Sequence, residues 1–79
     1  MPAGTHVYLG RRAGSHLEPY RQIPVINTRA AEELFGRMPA DNHSDRYMVL
    51  AVPDHRDGNL AITDEKPIAL TQALELDAD

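Results

Sequence analysis

Any chemistry this chain performs must come from its carboxylates, its four histidines or its hydroxyls, because it contains no cysteine. Two short segments place such groups side by side, Asp41-Asn42-His43-Ser44-Asp45 and Asp54-His55-Arg56-Asp57. Zinc needs three or four converging ligands, and without thiolates these segments would have to supply them as imidazole and carboxylate. Between them lies Arg46 to Val52, an apolar run that reads as a strand and, at ~3.3 Å per residue, separates them by roughly 20 Å. They cannot share one ion, and each alone offers Asp and Asn where Asx turns use them. No metal and no cofactor is therefore expected. Ser15 and Ser44 lack the glycine-flanked elbow of a hydrolase nucleophile. Gly4, Gly10, Gly14, Gly36 and Gly58 are scattered, not gathered into a phosphate-cradling loop. Paired carboxylates perform acid–base work only where a cleft desolvates one of them, and 79 residues enclose little depth. The reading is of a protein that is not an enzyme.

The charges are sorted along the chain. Up to Arg37 five arginines face three acids, whereas from Met38 onward three bases face nine acids, for a net charge of −4. Arg11, Arg12 and Arg21, with Tyr8 or Tyr20 nearby, are the nearest approach to a basic stripe with interleaved aromatics, and no direct nucleic-acid binding is expected. The longest apolar runs, Met48 to Val52 and Ile68 to Leu70, fall far short of the ~20 residues a bilayer span requires. Met1 to His6 has neither the basic flank nor the apolar stretch of a signal peptide. With no cysteine, a cytoplasmic location is expected.

These residues must be positioned by a small set of elements. Thr5 to Arg12 alternates Val7 and Leu9 with more polar neighbours, the period of a half-buried strand. Ala13 to His16 is turn chemistry. Leu17 to Ile26, carrying Pro19 and Pro24, reads as an edge strand or extended connection. If the two pair, Arg11, Arg12 and Arg21 come near one another. A helix is predicted over 28–38, capped by Thr28, with Glu32 and Glu33 favouring its N-terminal dipole. Ala31, Leu34, Phe35 and Met38 form its apolar stripe, and Phe35, the one phenylalanine, is placed at the centre of the core. Pro39 ends the helix.

Arg46 to Val52 is apolar on both faces, as expected for a central strand covered by the helix on one side. Pro53 to Asn59 forms a loop with an Asp-Gly turn, and Leu60 to Thr63 returns as the paired strand. Asp64-Glu65-Lys66-Pro67 either starts a helix running to Leu76 or turns the chain so that Ile68 to Thr71 pairs back against Leu60 to Thr63. The repeated alternation favours the strand. The expected fold is α+β: one compact domain over 1–79, with a small antiparallel sheet of three to five strands and one α-helix, about 28–38, packed on one face.

With no site for chemistry, the surface carries the function. In size, lack of cysteine, acidic second half and single helix beside a short antiparallel sheet, the whole chain resembles the small phage-encoded anti-CRISPR proteins, particularly inhibitors of type I systems such as type I-C. That resemblance implies a monomeric inhibitor, in the cytoplasm of a bacterial host, whose partner is a subunit of a CRISPR-Cas effector complex (Cascade) and which blocks target DNA binding. Asp41, Asp45, Asp54, Asp57, Asp64 and Glu65, expected around the hairpin ends, are the candidate partner-binding residues. Carboxylates held there can compete for arginines and lysines that otherwise meet phosphate. Tyr20 and Arg21, of the types that dominate interface hot spots, are the secondary candidates. A different reading is a small structural or regulatory module, a phage accessory or subunit-like protein, dimerising through a sheet edge.

Overall fold

In a computed structural model, which describes residues 4–54 and 58–78, the chain forms two antiparallel hairpins, each followed by a helix. In order these are β1 (His6–Ala13), β2 (His16–Ile23), α1 (Thr28–Arg37), β3 (Arg46–Asp54), β4 (Asn59–Ile68) and α2 (Leu70–Asp77). The hairpins join through β1 and β3, giving one antiparallel sheet in the order β2-β1-β3-β4. The α+β class and the helix on one sheet face are as expected from the sequence. The first hairpin turns at Gly14, whose φ of 62° only glycine adopts without strain. The second closes with Gly58 at φ 70°, its N–H donating to the Asp54 carbonyl at 2.9 Å. The edge strands β2 and β4 accommodate Pro19 and Pro67, which lack a ladder donor.

Each hairpin carries one β-bulge. Opposite the Leu9/Gly10 step β2 has an extra residue, Tyr20, and opposite the Leu50/Ala51 step β4 has Thr63. Thr63 spends its hydroxyl on the Leu50 carbonyl at 3.2 Å. Between these irregularities the period of two sorts the sheet cleanly. Val7, Leu9, Met48 and Leu50 join Ile23, Ile68, Ala31 and Ala73 in the core beneath the helices. Tyr8, Gly10, Val49 and Ala51 lie on the opposite, helix-free face.

Several local expectations are corrected. Asn27, not Thr28, caps α1: its extended backbone lets the side-chain oxygen accept from the Ala30 N–H at 2.8 Å. The Thr28 hydroxyl is taken instead by the Thr5 N–H at 3.1 Å, tying the helix to the entry of β1. Glu32 and Glu33 fall beyond the first turn, which contains no acid. Phe35 is only partly buried at the margin of the core, and the largest fully buried side chains are Leu9, Met48, Ile68, Val7 and Val49. The flat ring lies instead under Lys66, whose Nζ is 4.8 Å from its centre. Lys66 also donates to the carbonyls of Phe35 at 2.6 Å and Met38 at 2.7 Å, so a strand side chain closes the C-terminus of α1.

The tail overturns the favoured strand. Asp64 to Pro67 does not turn the chain but continues β4 alongside Tyr47 to Leu50. Ile68 ends the strand fully buried, and Ala40 bridges to it. Beyond that point there is no further ladder to join, and the good helix formers of Leu70 to Asp77 form a second helix. Ala73, nearly fully buried, is small enough to let α2 approach the sheet.

Candidate functional site

The six acids predicted as a partner-binding set fall into two groups. Asp45 stands at the start of β3, where its carboxylate pairs with Arg46 at 2.8 Å and its carbonyl accepts from the Arg12 N–H. Asp54, Asp64, Glu65 and Asp41 follow the β4 side of the sheet. Asp54 ends β3 opposite Asn59, and Asp64 and Glu65 stand opposite Leu50 and Val49. Asp41 meets the far end of the strand, its N–H donating to the Pro67 carbonyl at 2.8 Å. Asp64 and Glu65 are therefore mid-strand residues and not hairpin-end residues as expected. Asp57 lies outside the described residues.

Local bonds hold these carboxylates. Asp41 Oδ1 accepts from the His43 N–H at 3.1 Å, the Asx turn its sequence suggests. Asp64 is exposed, with Oδ1 accepting from the Glu65 N–H at 2.8 Å. Glu65 pairs with Arg12 across the sheet at 2.8 Å. The single base of β4, Lys66, is turned inward onto α1. β4 itself thus carries two acids side by side, of which Glu65 is paired with Arg12, and Asp54 and Asp41 lie near its two ends.

Tyr20 and Arg21 do not act together. Tyr20 is the bulged residue of β2, 44% exposed, with the Arg11 guanidinium 5.7 Å from its ring centre. Arg21 bonds both the carboxylate and the carbonyl of Asp77, pinning the end of α2 to β2. Nor do the three N-terminal arginines form a group. Arg11 goes to Tyr20, Arg21 to Asp77 and Arg12 to the opposite face of the sheet.

That helix-free face was not singled out from the sequence. Arg12 sits 4.8 Å from the Tyr47 ring centre and reaches Glu65 beyond it, so one line of side chains spans β1, β3 and β4. Tyr47 first and Glu65 next hold the Arg12 guanidinium more firmly protonated than usual, against some desolvation. Toward the other end His6 lies 6.3 Å from Tyr8 between ring centres, and its Nδ1 bonds Gln22 at 2.9 Å. In the middle Gly10 leaves room for Val49 and Leu17 to close over it. A methyl group there would stand 3.0 Å from Val49 Cγ2 and 3.3 Å from Leu17 Cδ1. The signal in the sequence is the doubly apolar pattern of β3, which points first to a central strand.

On the helix side, Pro24 to Ile26 and the flank of α1 bound an open cleft of about 530 Å³, lined by Ala30, Glu33, Leu34 and Arg37. Its carboxylate, Glu33, pairs with Arg29 at 3.5 Å in solvent. Among the described residues no three or more of His, Asp and Glu converge as a metal site requires, and no helix is long and apolar enough to cross a membrane. Comparison with family models, curated proteins and solved structures returned no match.

Proposed function

We propose that the protein is a non-enzymatic inhibitor that docks through the acidic edge of its sheet onto a protein that handles nucleic acid. Its proposed target is the Cascade effector of a type I CRISPR system in a bacterial cytoplasm, where it blocks target DNA binding. The observation that carries this reading is the β4 edge. Asp64 stands exposed on it and Asp54 and Asp41 lie near its two ends, while its one cation is spent internally on α1 and Glu65 is paired with Arg12. Such acids complement the arginines and lysines of a channel built for a phosphate backbone, and a carboxylate can hold an arginine bidentately much as phosphate does. The resemblance to anti-CRISPR proteins names the target, and the edge supplies a means. The same charges, with the bulge at Thr63, disfavour pairing of β4 with another strand, which argues against edge-to-edge dimerisation.

The test is a gel shift of target DNA by purified type I-C Cascade, run at two salt concentrations with increasing amounts of the protein. The reading predicts loss of the shifted DNA, less complete at high salt because the attraction between exposed charges is screened. The Asp54→Lys/Asp64→Lys double variant, still folded, should restore the shift. Undisturbed DNA binding with no co-migration of the protein overturns this target.

A further inference from the structure

The two halves of the chain repeat one another. The register places a pseudo-two-fold axis at the facing pair Tyr8 and Val49, and about it β1-β2-α1 matches β3-β4-α2. Both bulges agree: the Leu9/Gly10 step with its extra Tyr20 matches the Leu50/Ala51 step with its extra Thr63. The helices agree as well. Counted from the caps Asn27 and Ala69, the fourth residue is a buried alanine, Ala31 or Ala73, and the seventh a leucine packed on the core, Leu34 or Leu76. The eighth, Phe35 or Asp77, offers its carbonyl to a cation from the other half's edge strand, Lys66 or Arg21. Between strand and helix the sequence itself repeats a proline, a β-branched residue and a threonine, as Pro24, Val25, Thr28 and Pro67, Ile68, Thr71.

At that strand-to-helix step the halves differ. In the second half the segment that follows α1 lies against the end of β4: Ala40 bridges to Ile68, and the Asp41 N–H donates to the Pro67 carbonyl at 2.8 Å. Ile68 is fully buried there. In the first half, among the described residues, no strand or bridge lies against the counterparts Pro24 and Val25, and the cleft of about 530 Å³ opens between them and α1. Val25 is only half-buried, and the next residue, Ile26, is 91% exposed.

We infer that this cleft is a docking groove for an extended acidic segment of a partner protein, which pairs with Pro24 and Val25 as Ala40 and Asp41 pair with Ile68 and Pro67. The filled half shows the form of the occupant: a small residue opposite the β-branched one, followed by an N–H for the proline carbonyl. Main-chain bonds of this kind supply affinity, and the side chains of the groove select the sequence. Charge selects an acidic segment. Of the two charged residues lining the cleft, Glu33 is paired with Arg29, whereas Arg37 has no ion-pair partner among the described residues.

The segment that fills the second half is the probe. A peptide of sequence 38–45, blocked at both ends, is titrated into the isotopically labelled protein and followed through its amide chemical shifts. Saturable binding is expected, with shifts centred on Val25, Ile26 and the flank of α1 that bears Ala30 and Arg37. Methylating the peptide nitrogen that matches Asp41 removes the donor and should abolish saturation. Arg37→Glu should weaken binding about fivefold, the size of an exposed ion pair. Asp64→Lys on the β4 edge should leave it unchanged, so this groove and the acidic edge can fail separately. Absence of saturation up to millimolar peptide overturns the proposal. So do shifts centred on Ile68, equal binding of the methylated peptide, or unchanged affinity in Arg37→Glu.

Discussion

The two faces of β3 reach the same depth of burial by different means. Under the helices Met48 and Leu50 belong to a core closed by Ala31 and Leu34 of α1 and Ala73 and Leu76 of α2. On the other face Val49 and Ala51 are equally inaccessible although neither belongs to the cluster beneath the helices, and Val49 and Leu17 close over Gly10. Burial on the first face is fixed by backbone elements docked on the sheet. On the second it depends on flat side chains at the surface. The first face specifies the fold, and the second is closed within the single chain by the side chains of the sheet itself. A domain of 79 residues buries a modest share of its surface, so a second covered face matters to its stability.

The comparison breaks most visibly if matched truncations behave alike. Met48→Ala should cost about 2–5 kcal/mol in urea unfolding, as lost transfer energy and cavity add beneath rigid helices. Val49→Ala, on the face where side chains can settle into the gap, should cost about 1–2 kcal/mol. Equal costs would make the two faces equivalent cores. Overpacking sharpens the same point. Gly10→Ala should destabilise by about 1–3 kcal/mol, since its new methyl meets Val49 at 3.0 Å, and combining it with Val49→Ala should recover part of that loss. A smaller effect is expected at the rim of the helical layer. Lys66→Met removes the donor to the Phe35 and Met38 carbonyls and should cost about 1–2 kcal/mol, with faster amide exchange confined to the last turn of α1.

Local pattern made much of this fold legible. Alternation located β1 and β3, the prolines marked β2 as an edge, and the Ala31, Leu34, Phe35, Met38 stripe set the buried side of α1. What stayed hidden depends on pairing between distant segments. The capping role passed from Thr28 to Asn27 because Thr5, 23 positions away, claims the threonine hydroxyl. The tail deceived because Ile68 to Thr71 imitates the alternation of Leu60 to Thr63. Only the length of the β3 ladder shows that the strand ends at Ile68. Among the candidate site residues, composition found the acids, but their order along β4 emerges from Asp41 folding back to Pro67. Arg12, Tyr47 and Glu65 come from three strands, and no spacing in the chain links them.

The claim that the two faces of β3 are closed by different means is tested most directly by urea unfolding of Met48→Ala and Val49→Ala side by side. The account predicts the larger loss, about 2–5 kcal/mol, for Met48→Ala beneath the docked helices, and about 1–2 kcal/mol for Val49→Ala. Equal losses would contradict it.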